Sequence, residues 1–384
     1  MLIGDWKLNQ KDHKKEISAA IDGFNLWYRV PDKYKVSRNG EPFLAAALIP
    51  AMLKGESIDL HPSMPVSEDL LANLGRLQEV YHKWNRNLKI IKINASLTEP
   101  ETLNDGMAAY FSGGVDSSYT LLKLEDIISH VLYISGFDFP CEDSIFEKMI
   151  ERNKLISDKF GKEFVEIETN FYQFGYTYDL SRNLTQGSCL GSVALLLSFN
   201  SVYIPSSYSY DQLFPLGSHP ITDPLWSNGS YDIIHDGCEA TRTEKIKKLL
   251  ADDTILNNLS VCLKDSMRNC GQCQKCIRTM ISLKLLNAET TAFPVFPSLK
   301  EISKRKIDGQ LEATFLRENI ELADQVGNLD LKKALQRSMK RYEKTGLLKQ
   351  LDKVFLGGKC VSFYKRFLKE DDNIVRIDLD TEFI

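Results

Sequence analysis

Residues 106–122 read GMAAYFSGGVDSSYTLL, and this stretch decides the fold. Residues 107–111 are an apolar run suited to a buried strand, Ser112-Gly113-Gly114 suits a turn, and Ser117 onward has helical spacing. At a strand-to-helix turn, two glycines take backbone angles that other residues resist and let main-chain N–H groups approach an anion. The following helix adds unpaired N–H groups and its positive dipole end. Ser112, Ser117 and Ser118 add hydroxyl donors, and the Asp116 carboxylate suits Mg²⁺ already chelated by phosphates. The segment therefore has the layout of a nucleotide-phosphate cradle made of Phe111, Ser112, Gly113, Gly114, Val115, Asp116, Ser117 and Ser118. G-x-x-x-x-G-K-[ST] occurs nowhere in the chain, which removes the Walker-type reading.

Outward from this turn, strands and helices alternate. After the first strand, 107–111, the pattern predicts a helix over 116–126, a strand over 130–134, a helix over 144–160, a strand over 163–168, a helix over 186–199 and a strand over 202–205. Such alternation predicts an α/β domain over 106–287 with a doubly wound, mostly parallel sheet, whose ligands sit beyond the carboxyl ends of the strands.

Residues 1–105 read as a separate α+β layer: strands over 26–30, 57–60 and 88–93, a helix over 42–53, and a second helix capped by Ser67. No ligand cluster stands out in this layer. Its expected role is packing or oligomerisation, for instance in a homodimer, with a lid over the site as the alternative. Residues 288–384 are helical in character, over 298–304, 311–323, 331–347 and 349–356.

A formal charge of −4 provides no general nucleic-acid footprint, which needs a positive field. The first residues lack a basic segment followed by a long apolar one, and no run has membrane-spanning length, so the cytoplasm is the expected compartment. Eight cysteines in 384 residues are too dilute for a disulfide scaffold, yet four crowd into VCLKDSMRNCGQCQKCIRTM. Cys262, Cys270, Cys273 and Cys276 can close a tetrahedral shell around Zn²⁺, and a shell with no open position is structural. Iron–sulfur ligation is the rival reading of the two C-x2-C steps.

FSGGVDS resembles the signature of the PP-loop ATP pyrophosphatase (adenine nucleotide alpha hydrolase-like) superfamily, whose S-G-G-x-D-S turn grips the β- and γ-phosphates of ATP. The resemblance is to the 7-cyano-7-deazaguanine synthase branch, which pairs this loop with a zinc-binding C-x7/8-C-G-x-C-x2-C, here Cys262 and Cys270-Gly271-Gln272-Cys273-Gln274-Lys275-Cys276. It points to Zn²⁺ and implies a PP-loop fold. Between the two motifs the branch carries T-K-x-E, whose lysine approaches the phosphates; Thr241-Arg242-Thr243-Glu244 stands in that place, and arginine keeps the charge and gains a bidentate fork. The resemblance covers roughly residues 106–285.

The branch's Y-P-D-C element is replaced here by a long loop, 206–226, directly after strand 202–205. Tyr208 and Tyr210 suit stacking on a flat base, Asp211 suits accepting from its edge, and His219 or Asp223 suits proton handling. His235-Asp236-Gly237-Cys238 is a further candidate lining, and Cys189 and Cys238 are isolated thiols of the kind that commonly pack inertly. The resemblance implies ATP-dependent adenylation of a carboxylate such as 7-carboxy-7-deazaguanine, assisted by Asp116 and Arg242. AMP and pyrophosphate are formed, and the acyl group passes to a nitrogen nucleophile to give an amide or nitrile.

Three alternatives stand beside this reading. A protein or peptide amine is the acceptor in one, as associated with related proteins of bacterial antiviral systems. In the second, the enzyme inserts sulfur into tRNA through one of Cys141, Cys189, Cys238 or Cys360, although none of these forms a C-x-x-C pair. The third is a sensor that binds nucleotide without turnover.

Overall fold

The computed structural model describes residues 1–141, 145–262, 269–307 and 309–356, and the chain divides into two compact units after Glu239. The first is built on an eleven-stranded sheet: β1 (Leu2–Ile3), β2 (Lys7–Lys11), β3 (Lys14–Ile21), β4 (Phe24–Pro31), β5 (Ile58–Leu60), β6 (Ile93–Asn94), β7 (Asn104–Tyr110), β8 (His130–Ser135), β9 (Glu163–Thr169), β10 (Phe199–Pro205) and β11 (Asp232–Asp236). Their lateral order is β11-β10-β7-β8-β9-β4-β3-β1-β5-β6, with β2 paired to β3. The block from β11 to β9 is parallel throughout. Within it the third, second, first, fourth and fifth strands of the chain lie side by side, which is a doubly wound order. Chain order reverses between β7 and β10, and in open sheets of this kind a ligand crevice lies at that reversal, beyond the carboxyl ends. The α/β class and the mostly parallel sheet agree with the sequence reading.

Among the described residues six helices accompany the sheet: α1 (Glu41–Lys54), α2 (Glu68–Trp84), α3 (Val115–Lys123), α4 (Ile145–Lys159), α5 (Phe171–Thr177) and α6 (Arg182–Leu197). Ser67 caps α2 as expected, accepting from the Leu70 amide at 3.2 Å. α6 starts four residues before the expected 186 because Ser181 caps it, accepting from the Leu184 amide at 3.2 Å. α1 buries residues on every side and packs on α6, consistent with its nearly uniform apolar sequence. Their contact is pinned by Ser192, whose hydroxyl donates to the Pro42 carbonyl at 2.6 Å.

Residues 1–105, expected as a layer of their own, instead extend the same sheet. β4 pairs antiparallel with β9, setting Tyr28 opposite Thr169 and Arg29 opposite Glu168. Charge pairs cross this seam: Lys14 meets Glu168 and, at 3.5 Å, Glu166, and Arg29 meets Glu168 at 3.5 Å. The strand expected over 88–93 shrinks to the two residues of β6. β1, β2 and β3 have no counterpart in the sequence reading; the charged KLNQK of β2 and the Lys-Lys-Glu start of β3 mask their alternation.

The second unit is helical: α7 (Arg242–Leu249), α8 (Asp253–Asn257), α9 (Gln274–Leu285), α10 (Leu299–Lys304), α11 (Gln310–Gln325) and α12 (Leu329–Leu356). Its core gathers Ile277, Ile281 and Leu285 of α9 with Ile302, Ala323, Leu331 and Leu335. α12 is one helix where two are expected, over 331–347 and 349–356. The four cysteines thus belong to the helical unit, and the division after Glu239 differs from the expected boundaries at 105 and 287. Among the described residues no helix is long and apolar enough to cross a membrane.

Candidate functional site

β7 ends at Tyr110 and α3 begins at Val115, so the Ser-Gly-Gly turn lies at the carboxyl end of β7, next to β10. Gly113 has φ +72°, in the left-handed region where a side chain is strained. Gly114 is the N-cap of α3 and offers it no side-chain bond, so the first-turn amides are left for an anion. Ser117 braces the turn from within: its Oγ accepts from the Ser112 amide at 3.2 Å, lies 3.3 Å from Ser112 Oγ and donates to the Gly114 carbonyl at 3.2 Å. Ser118 is fully buried, and its hydroxyl has no hydrogen-bond partner among the described residues. Such a group is costly until something bonds it, so the donor set fits a phosphate-bearing ligand. Phe111 and Val115 are buried beneath the turn.

α3 is fixed to the end of β11. Thr120 Oγ1 donates to Asp236 Oδ2 at 2.7 Å, and Lys123 Nζ meets Asp236 Oδ1 at 2.7 Å and Glu239 Oε1 at 2.5 Å. On the first turn of α3, half-buried Asp116 accepts from Ser207 Oγ at 3.3 Å through Oδ2. The Ser112–Ser118 turn and the loop after β10 therefore meet.

That loop distributes the expected substrate residues unevenly. Tyr208 lines a small cavity with Ser206, Ser207, Phe214, His219 and His235, and its ring stands edge-on to Phe214, centroids 4.8 Å apart. Tyr210 is 66% exposed and lines an open groove that shares Pro220 and His235 with that cavity. Asp211 is exposed and accepts from Ser209 Oγ at 2.7 Å, so neither Tyr210 nor Asp211 joins the cavity.

Asp223 is fully buried. Its Oδ2 accepts from Ser218 Oγ at 2.7 Å and from His235 Nδ1 at 2.6 Å, and its Oδ1 accepts from the His219 amide at 3.2 Å. Burial opposes charge on His235, but the bonds and charges of Asp223 and Cys238 outweigh it and push its pKa up to about 9. His219 goes the other way: burial, then repulsion from His235, lowers it to about 4. Its Nδ1 accepts from the Ile221 amide at 3.1 Å and its ring packs edge-on to Trp84 at 5.0 Å, which suits a neutral, anchored histidine.

Two glycines one turn apart on α6 let the loop sit this close. A Cβ on Gly187 would lie 2.0 Å from the Gly217 carbonyl oxygen, and one on Gly191 would lie 2.6 Å from Trp226 Cγ. Trp226 itself is fully buried.

No family model and no curated protein matches this chain.

In the helical unit the four cysteine sulfurs lie within 4.8 Å of one another, with Cys270 to Cys276 at 3.9 Å and Cys262 to Cys273 at 3.8 Å. A tetrahedron with Zn–S bonds of about 2.3 Å has sulfurs about 3.8 Å apart, so the cluster can hold a metal such as zinc. Backbone amides point at the sulfurs: Cys273 to Cys270 at 3.2 Å, Gln272 to Cys270 at 3.4 Å and Cys276 to Cys273 at 3.4 Å. These bonds favour the charged thiolates that a metal needs. Gly271, at φ +66°, makes the turn between ligands, where a Cβ would also meet Pro294 Cγ at 2.3 Å. Asn269 clamps the entry, accepting from the Val261 and Cys262 amides at 2.9 and 3.2 Å and donating to the Leu259 and Ala292 carbonyls at 2.8 Å.

Arg242 is the first residue of α7, only 6% exposed, with its guanidinium 5.3 Å from the Phe315 ring centroid. Arg278 covers the same ring at 3.9 Å. Arg242 thus has a packing role within its own unit. Of the remaining thiols, Cys189 is buried in α6 and its thiol is held well above the usual range, chiefly by burial, while Cys360 lies outside the described residues.

Sequence reasoning did not assign roles to Ser207, Ser218 or Gln186, which line the cavity, and named His235 only within a candidate lining. The available signal for His235 was its place near the end of a strand-like DIIHD run.

Proposed function

We propose that the protein is an ATP-dependent enzyme that adenylates a carboxylate, of the 7-carboxy-7-deazaguanine class, and passes the acyl group to a nitrogen nucleophile. The observation that carries this reading is the Ser112–Ser118 turn at the carboxyl end of β7, where chain order reverses, joined through Asp116 to the loop that walls the cavity. The amides and hydroxyls of the turn would hold the departing pyrophosphate, and little beyond positioning and charge neutralisation is asked of them. Asp116 would hold Mg²⁺, which supplies charge neutralisation at the phosphates. The loop that starts at Ser206, which meets Asp116 through Ser207, would face the carboxylate-bearing ring. Cys262, Cys270, Cys273 and Cys276 would hold a structural Zn²⁺.

Incubation with ATP, Mg²⁺ and 7-carboxy-7-deazaguanine, followed by nucleotide chromatography, tests the reading. AMP with stoichiometric pyrophosphate is expected. ADP as the sole product would refute it.

A further inference from the structure

The sheet ends on one side at β11, whose only strand neighbour among the described residues is β10. Successive residues of a strand in a parallel ladder turn their main-chain groups to opposite sides, and two bonds fix which way β11 faces. The Asp236 carbonyl accepts from the Ser206 amide at 2.7 Å, on the β10 side, while the Ile233 amide donates to Ser227 Oγ at 3.0 Å, on the outer side. Ile233 and His235 therefore point their main-chain groups outward, and the Ile233 carbonyl and the His235 amide have no hydrogen-bond partner among the described residues. Such edges are usually blunted by charge. β2, which pairs only with β3, carries Lys7 and Lys11, whereas the middle of β11 is Ile233-Ile234.

An open groove of about 640 Å³ runs along this edge, lined by Asp232, Ile233, Ile234 and His235 of β11 and by Asp69 and Tyr210. Its charge is one-sided. Asp69 and Asp232 are exposed and have no ion-pair partner among the described residues, no lysine or arginine lines the groove, and any charge on His235 is matched by Asp223 at 2.6 Å. Gly229, at φ +95°, gives Asp69 its place there, since a Cβ on it would lie 2.1 Å from Asp69 Oδ2.

We propose that this groove binds an extended basic peptide segment, which joins the sheet as an added strand on β11. One residue of the peptide can donate to the Ile233 carbonyl and accept from the His235 amide, the bonding of a parallel neighbour. Main-chain bonds give the affinity, and alternate side chains give the choice of partner. Lysine or arginine is what the lining selects: its charge meets Asp69 or Asp232, and its stem lies against the exposed Tyr210 ring. Docking of this kind needs neither ATP nor acyl transfer, so it stands or falls apart from the adenylation reading.

A fluorescein-labelled heptapeptide of alternating Lys and Val, added to the full chain, tests the groove by anisotropy and by hydrogen–deuterium exchange. Saturable binding with slowed exchange of the β11 segment is expected, and a Glu-for-Lys peptide should not bind. N-methylation of alternate peptide amides keeps the charge but removes the donors, and should weaken binding about tenfold. Asp69→Asn combined with Asp232→Asn should weaken it about fivefold with unchanged melting, as loss of two exposed charge pairs does. No saturable binding, binding that leaves β11 exchange unchanged, or equal binding of the N-methylated peptide or by the double variant would overturn the proposal. Protection of β11 that rises with protein concentration in the absence of peptide would give the edge to a second copy of this chain and overturn it as well.

Discussion

Replacing Gly187 by alanine tests how the loop that carries Asp223 is seated. The new Cβ would lie 2.0 Å from the Gly217 carbonyl oxygen, 3.0 Å from its carbon and 3.3 Å from Asp223 Oδ1. Because the first two obstacles are backbone, relief needs a shift of more than about 1 Å in α6 or in the loop, not a rotamer change. Overpacking of this kind costs about 1–3 kcal/mol, and the backbone contact places it at the upper end. Against this, alanine gains about 1 kcal/mol over glycine inside a helix. The net loss is about 2 kcal/mol, and for a unit of this size the melting temperature should fall by about 4–8 °C in scanning calorimetry. Gly75→Ala is the control: Gly75 is exposed within α2, nothing lies within 4 Å of its added Cβ, and only the propensity gain operates, so melting should rise slightly. The same shift should lengthen the Asp223–His235 bond and bring the His235 titration, followed by NMR, down from about 9 towards the ordinary histidine value. A Gly187→Ala protein that melts at or above the native temperature, or a Gly75→Ala protein that falls equally, would refute the reasoning.

The cysteine cluster should carry a single zinc ion per chain by atomic emission, without iron or labile sulfide. Cys273→Ser should lose the metal together with the helical signal of the second unit, because metal binding at such a site is coupled to folding. The two histidines set opposite pH limits on stability. His235, raised to about 9, contributes fully below its unfolded value near 6.5, and that contribution is lost as pH rises towards 9. His219, lowered to about 4, is buried neutral, so stability falls as pH drops from about 6.5 towards 4. Denaturation midpoints across this range should flatten above pH 6.5 in His235→Gln and below it in His219→Gln. Asp116→Asn should reduce AMP formation by about 100-fold or more with unchanged melting, as loss of a charge-stabilising group does; undiminished turnover would remove Asp116 from the site.

The strands from β7 to β10 and their crossover helices were legible because each carries its own periodicity, and α6 its own cap in Ser181. The eleven-stranded continuity was not, because the pairing of β4 with β9 joins residues about 140 positions apart and rests on seam charges such as Lys14 and Glu168 that look like surface residues in the sequence. The Ser-Gly-Gly turn between β7 and α3 was legible for a related reason: its geometry is local, set by Gly113 and Gly114 within a few residues. The cysteine spacing announced a cluster in the same way. The Asp223–His235 pair is the reverse case. Its two members sit on a loop and on a strand, and only the close approach permitted by Gly187 and Gly191 brings the loop to the sheet. Arg242 stands at the first position of α7, nearly buried, with its guanidinium over the Phe315 ring of α11.

Asp236 explains how the turn and the cavity act as one object. Its carboxylate takes Thr120 through one oxygen and Lys123 through the other, while its main-chain carbonyl takes the Ser206 amide. The helix that starts at the Ser-Gly-Gly turn, the edge strand β11 and the first residue of the cavity loop are thereby fixed to a single buried residue. Asp116 and Ser207 close the same circuit from the other side. A loop held at both points has few ways to move independently of the turn, so reacting groups bound at the two places would be kept in register rather than brought together by a late closure. Rigid support of this kind favours attack geometry over access.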